Sequence, residues 1–132
     1  MEYVRGKIRN PKYAMQLRDM SGLRWGKITP TDIDGFLDFG GRAFVIIEGK
    51  HGSACMTLGQ RLALERLCDS CTKAGVATLL VICSHTTTGT IDYAELPVVM
   101  YRCRQQWRTP GRPITVRQII DEFLRMNKLE LS

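Results

Sequence analysis

The sequence predicts an α/β fold in which a mixed β-sheet is flanked by helices, and three stretches predict it. Residues 31–50 alternate as a β-hairpin about Gly40-Gly41. Residues 58–74 carry apolar side chains at helical spacing and lead into an apolar, β-rich run, Val76–Cys83. Residues 115–127 repeat the helical pattern near the end. A strand, a helix and a second apolar strand in succession require a crossover. Strand 76–83 is therefore expected to lie parallel to a hairpin strand and to be buried on both faces.

A chain of 132 residues is read as one domain over 1–132, long enough to bury a single core. No apolar window approaches the roughly 18 residues of a membrane span. No export signal is visible at the N-terminus. The cysteines number five, an odd count that cannot form a closed disulfide set, so reduced thiols in a cytosol are expected. The formal charge of +6 is unevenly spread: residues 1–27 carry +5, residues 28–98 carry −3, and residues 99–132 carry +4. Basic flanks around an acidic focus suit a polyanion gripped at its backbone while a cation sits at the focus.

Taken in order, residues 1–9 are a basic arm or a first strand. Asn10-Pro11 opens a short helix over 11–20, which Gly22 ends. Leu23 to Thr31 is a connector, followed by the hairpin and a loop over His51–Ala54. Thr57 caps the helix from Leu58 to about Ala74, with Leu64, Leu67, Cys68 and Cys71 as its stripe and Gly75 as its stop. Beyond strand 76–83, residues 84–89 are loop and Thr90–Tyr93 is a short edge piece. Val98–Gln105 is a further strand, with Trp107 near its end, and Thr109–Pro113 is a linker. Thr115 with Gln118 forms a capping box that opens the last helix, whose apolar face is Ile119, Ile120, Phe123, Leu124 and Met126.

The hairpin carries the chemistry. Its odd positions (Ile33, Gly35, Leu37, Phe39, then Ala43, Val45, Ile47, Gly49) are apolar or Gly and are expected to face the core. The even positions hold Asp32, Asp34, Asp38, Glu48 and Lys50. A two-residue loop would send the acids and Glu48 to opposite faces. A three-residue loop, Gly40–Arg42, pairs Asp34 with Glu48; starting one residue earlier pairs Asp32 with Glu48 instead. Cross-strand neighbours sit roughly 5 Å apart, close enough for two carboxylates to share a cation. The Gly49 carbonyl offers a third hard oxygen. Such a set would hold Mg²⁺ (or Mn²⁺), with Lys50 orienting or deprotonating an attacking water, or steadying charge on a phosphate. The product would be a hydrolysed phosphodiester.

These residues resemble the PD-(D/E)XK nuclease superfamily. Asp34, a turn and Glu48-Gly49-Lys50 match its signature. The wording Thr29–Phe36, Phe44–Gly52 and Gly59–Leu64 is similar to small phage or prophage members. The resemblance spans roughly residues 10–125 and implies a restriction-endonuclease-like core. It also implies a Mg²⁺-dependent deoxyribonuclease with DNA as its partner, no membrane role, and a homo-oligomer or a phage or host protein partner left open. Asp34, Glu48 and Lys50 would take the metal, metal and lysine roles, Asp32 a second-metal or supporting role, and Gln60 the glutamine that several branches carry on the next helix. The runner-up is a non-catalytic nucleic-acid- or partner-binding phage module that keeps the fold.

Competing assignments attach to several of these residues. Thr57-x-x-Gln60 is also a capping box, although Gln60 shares the stripe of Leu64 and Cys71. Cys68-x-x-Cys71 falls mid-helix without a second ligand pair and is read as core. His51 and His85 are loop and strand-end residues. Arg102, Arg104, Arg108, Arg112 and Arg117 with Trp107 form either a nucleic-acid surface or a solvated face.

Overall fold

The computed structural model describes residues 16–129. By its backbone contacts the chain divides into two units, Met1–Pro30 and Thr31–Ser132. In the first unit, residues 16–20 have no regular structure, so the described half of the helix expected over 11–20 does not form. Leu17 and Met20, which would supply its apolar face, are exposed, and a helix this short is marginal without a buried face. Residues 11–15 and the arm or strand expected over 1–9 lie outside the described residues. Trp25 and Ile28 exchange two backbone hydrogen bonds of 3.0 Å around Gly26, whose φ of +64° only glycine takes readily.

The second unit is an α/β layer structure. Its strands are β1 (Gly35–Asp38), β2 (Ala43–His51), β3 (Ala77–His85), β4 (Val98–Cys103) and β5 (Gln106–Arg108). They lie in the order β1-β2-β3-β4-β5. β2 and β3 pair in parallel; the other neighbours pair antiparallel, so the sheet is mixed. Two helices flank it, α1 (Leu58–Lys73) and α2 (Val116–Met126), and neither is long and apolar enough to cross a membrane.

The crossover β2–α1–β3 supplies the parallel pair. β3 is central and is buried from Thr78 to Cys83, as its continuous apolar run requires. The odd residues of β2 and β3, Val45, Ile47, Leu79 and Val81, pack with Ile119, Ile120, Phe123 and Leu124 of α2. The even residues Ile46, Leu80 and Ile82 pack with Leu64 and Cys68 of α1. Both faces of the hairpin's second strand are therefore core, not the odd face alone. On the edge strand β1 the reverse holds, since Phe36 and Leu37 are exposed. Leu67, expected in the α1 stripe, is exposed as well.

The Asp38 carboxylate accepts from Gly41 N–H at 2.7 Å, and Phe39 N–H donates to Ala43 O at 2.9 Å. With Asp38 opposite Phe44, the loop is Gly40–Arg42, the odd loop that hairpin parity requires. Gly40 and Gly41 sit at φ +67° and +75°, which side chains other than Gly rarely tolerate. The piece expected over Thr90–Tyr93 is not a strand; a 3₁₀ turn covers Tyr93–Glu95 instead. The strand expected over 98–105 is two strands, folded at Arg104-Gln105. Both turn residues have positive φ, +51° and +63°, as a two-residue hairpin turn demands. Neither is a Gly or Asn, so no turn signal stands in the sequence.

Two predictions follow from this core and this turn. Replacing Arg104-Gln105 by Asn-Gly relieves the left-handed strain and is expected to raise stability by about 1 kcal/mol, read as a higher thermal midpoint. Burial pushes the Cys68 thiol up to about 12 and, with the Asp34 and Glu48 charges nearby, the Cys83 thiol up to about 11. At pH 8 a thiol reagent is expected to label exposed Cys55 rapidly, and Cys68 and Cys83 only after denaturation.

Candidate active site

Glu48 lies on the even face of β2, beneath α1, with 4% of its surface exposed. A crossover helix runs back along the strands it joins, so the first turn of α1 covers the last residues of β2. Gln60, Leu64 and Cys68 recur every four residues and share one face. Leu64 and Cys68 enter the core beside Ile46, and Gln60 thereby lies over Glu48. Its amide Nε2 donates to Glu48 Oε1 at 2.9 Å, and its Oε1 accepts from Lys50 Nζ at 2.7 Å. Lys50 Nζ is also 3.3 Å from Glu48 Oε1. The three side chains close a triangle.

Thr57 still caps the helix, its hydroxyl accepting from Gln60 N–H at 3.2 Å. The reciprocal half of a capping box is not made, because the Gln60 side chain is engaged with the sheet. Glu48 Oε2 is buried and has no hydrogen-bond partner among the described residues. A buried carboxylate oxygen without a donor is costly, and it marks a place where a cation or a donor from outside would be stabilised.

β1 begins at Gly35, opposite Ile47, and the same register continued one step sets Asp34 opposite Glu48. The Phe39–Ala43 bond fixes the alternation of the ladder. Gly49 N–H and C=O therefore both point toward the β1 side, one step past its last pair. The Asp34 carboxylate takes the place of a further strand residue: its Oδ2 accepts from Gly49 N–H at 2.7 Å. Tyr93 O–H lies 3.4 Å from the same oxygen. Burial and the Asp34 charge raise the Tyr93 phenol above its usual pKa.

Asp34, Gly49, Glu48, Lys50 and Gln60 are thus brought to one end of β2. Asp32 is exposed, three residues before β1, in a stretch without regular structure. Among the described residues no three His, Cys, Asp or Glu side chains converge to hold a metal ion. Two carboxylates and one main-chain carbonyl are nevertheless the sparse donor set that suits Mg²⁺, which keeps several waters and takes further oxygens from a phosphate. Of these donors, Glu48 Oε2 is buried with no partner among the described residues, while Asp34 Oδ2 already accepts from Gly49 N–H. A cleft of about 270 Å³ opens beside Lys50, lined by Arg61, Met56 and Met100 among others.

His51 and His85 stand opposite each other on β2 and β3, rings edge to face with centroids 5.1 Å apart. The arginine cluster is divided. Arg102 holds Asp69 through two bonds of 2.8 and 2.7 Å, which keeps that carboxyl below its usual pKa. Trp107 donates to Glu65, and Arg61 and Arg102 lie 5.3 and 5.7 Å from its ring centroid. Arg117 pairs with Asp121 on α2. Arg102 and Trp107 are therefore structural partners of α1, while Arg104, Arg108 and Arg112 face elsewhere.

Tyr93 is the site residue that sequence reasoning missed. A glycine inside an apolar strand does signal close approach, and a Cβ on Gly49 would lie 2.9 Å from the Tyr93 ring and hydroxyl. The signal marks Gly49 but not its distant partner. No family model matches the chain, and no curated protein or solved structure matches it either.

Gly49→Ala is expected to cost about 1–3 kcal/mol by overpacking against Tyr93. Adding Tyr93→Ala should recover part of that loss, so denaturant unfolding of the two single variants and the double should show less-than-additive destabilisation.

Proposed function

We propose that the unit over residues 31–132 is a restriction-endonuclease-like core of PD-(D/E)XK type, acting as a Mg²⁺- or Mn²⁺-dependent deoxyribonuclease of phage or prophage kind in a bacterial cytosol. The observation that carries this reading is the buried Glu48, one oxygen held by Lys50 and Gln60 and the other left without a partner. Asp34, Glu48 and the Gly49 carbonyl would hold the cation, with Asp32 in a second-metal or supporting role. Bound there, the cation would polarise a phosphate oxygen and acidify a coordinated water.

The chain's own residues do the rest. Lys50, held by Gln60, presents its ammonium beside the phosphate and orients the attacking water or steadies the charge that builds on the phosphate. Gln60 is a positioning residue, since it fixes Glu48 and Lys50 at once. Tyr93 and Gly49 N–H orient the Asp34 carboxylate. The cleft beside Lys50, with Arg61 on its wall, is where the DNA backbone would lie.

A second reading, a nucleic-acid- or partner-binding module that keeps the fold without catalysis, is favoured by one observation. Among the described residues no third acidic or histidine ligand joins Asp34 and Glu48.

Single- and double-stranded DNA incubated with Mg²⁺ or Mn²⁺ separates the two. Cleavage is expected with the cation, lost with chelator, and lowered about 10²–10⁴-fold by Glu48→Ala or Lys50→Ala. Gln60→Ala should lower it about 10–100-fold. Undiminished cleavage in Glu48→Ala and Lys50→Ala would overturn the site assignment. Binding without cleavage under either metal would favour the second reading.

A further inference from the structure

The face of the sheet opposite Glu48 carries a second cleft, of about 270 Å³. It lies against α2, where β3 begins at Ala77, whereas Lys50 is level with Ser84 near the other end of β3. The two clefts therefore share neither a face nor an end of the sheet.

Its floor is hydrocarbon, from Leu79, Ile119 and Phe123, and the Tyr101 ring is part of its wall. Arg104, Arg108 and Arg112 line it as well, with Arg108 donating to Gln106. One carboxylate, Glu122, also lines it and is paired with Arg112. The lining is therefore cationic overall.

Arg104 reaches this position from the strained turn, at φ +51°. Backbone strain of this kind persists where the surroundings hold it and is common at binding sites. Asn-Gly would fill the turn more easily but would remove the cation.

The combination restricts the ligand. Guanidinium forks match phosphate oxygens, and several of them facing one hollow suit a phosphate better than a single carboxylate. Leu79, Ile119 and Phe123 are themselves nearly out of water, but a bare anion would leave the tyrosine ring and the exposed Met126 uncovered. A ligand with a phosphate at one end and a flat, largely apolar body at the other satisfies both. The volume lies near the lower end of small-molecule sites, which begin at roughly 300 Å³, so one nucleotide fits and a long polymer segment does not. We propose that this cleft binds a 5′-phosphorylated nucleotide, its base against Tyr101 and Met126 and its phosphate against Arg104, Arg108 and Arg112. The ligand is either a free mononucleotide or the terminal nucleotide of a strand. This assignment goes beyond the proposed cleavage site and does not depend on it.

Titration calorimetry of the full chain in low salt, without divalent cation, tests it. Adenosine 5′-monophosphate is expected to bind, with adenosine and inorganic phosphate each weaker by about tenfold or more. Arg104→Gln with Arg108→Gln should weaken the nucleotide about tenfold or more. Glu122→Gln, which releases Arg112, should strengthen it by about two- to fivefold, a gain that misfolding cannot produce. A 5′-phosphorylated oligonucleotide binding tighter than the mononucleotide assigns the site to strand ends. The reverse order assigns it to free nucleotides, and either order supports the proposal. No nucleotide binding, phosphate binding as tightly as the nucleotide, or unchanged affinity in all the variants would overturn it.

Discussion

The placement of Glu48 governs the architecture around it. A carboxylate under a helix, almost wholly out of water, demands donors on the spot. The crossover β2–α1–β3 provides them, because the helix that returns over the strand brings Gln60 above Glu48 in its first turn. Lys50, two residues on, shares the face and completes the triangle. An apolar residue at position 48 would instead merge with Ile46, Ile82 and Leu64 into an unbroken layer. Replacing a buried polar network by hydrocarbon is often neutral or stabilising, so fold stability alone gives no reason for this one.

The two faces of the sheet have different chemistries. The α1 face buries polar groups at the C-terminal ends of the parallel strands and turns Arg102 inward onto Asp69, with the exposed Arg61 over the Trp107 ring. The α2 face has a purely apolar core, built on residues 116, 119, 120, 123 and 124 at helical spacing. It leaves its arginines at the rim of a hollow. Within the basic stretch 99–132, Arg102 is thus turned inward while Arg104, Arg108, Arg112 and Arg117 stay exposed, a division that net charge does not reveal.

Much of this was legible in the sequence where one local rule decided the outcome. Strand parity required an odd loop at Gly40-Gly41 if Asp34 was to oppose Glu48, and the loop is Gly40–Arg42. Capping at Thr57 and Thr115 fixed both helix starts. Gln60 was readable as a cap or as a sheet-facing residue, and only the packed helix separates the two, since its backbone N–H serves the cap while its side chain serves the site. Where the outcome rested on distant partners, the sequence was silent. Tyr93 meets Asp34 across 59 positions. The Arg104-Gln105 turn is set by the pairing of β4 with β5 against the local preference of either residue. Of the helix expected over 11–20 from its caps, the described residues 16–20 are exposed and without regular structure.

The candidate site is built from pieces of unequal security. Glu48, Lys50 and Gln60 belong to β2 and α1, which close on the central strand and pack into the layer of Ile46 and Leu64. Asp34 hangs from a four-residue edge strand whose side chains Phe36 and Leu37 remain largely in water. Edge elements with little buried surface open at lower free energy than the globule unfolds. Asp34, just ahead of that strand, can therefore detach and return while the lysine–glutamate–glutamine triangle stays assembled, so its place opposite Glu48 is set by a sub-global equilibrium rather than by the stability of the fold.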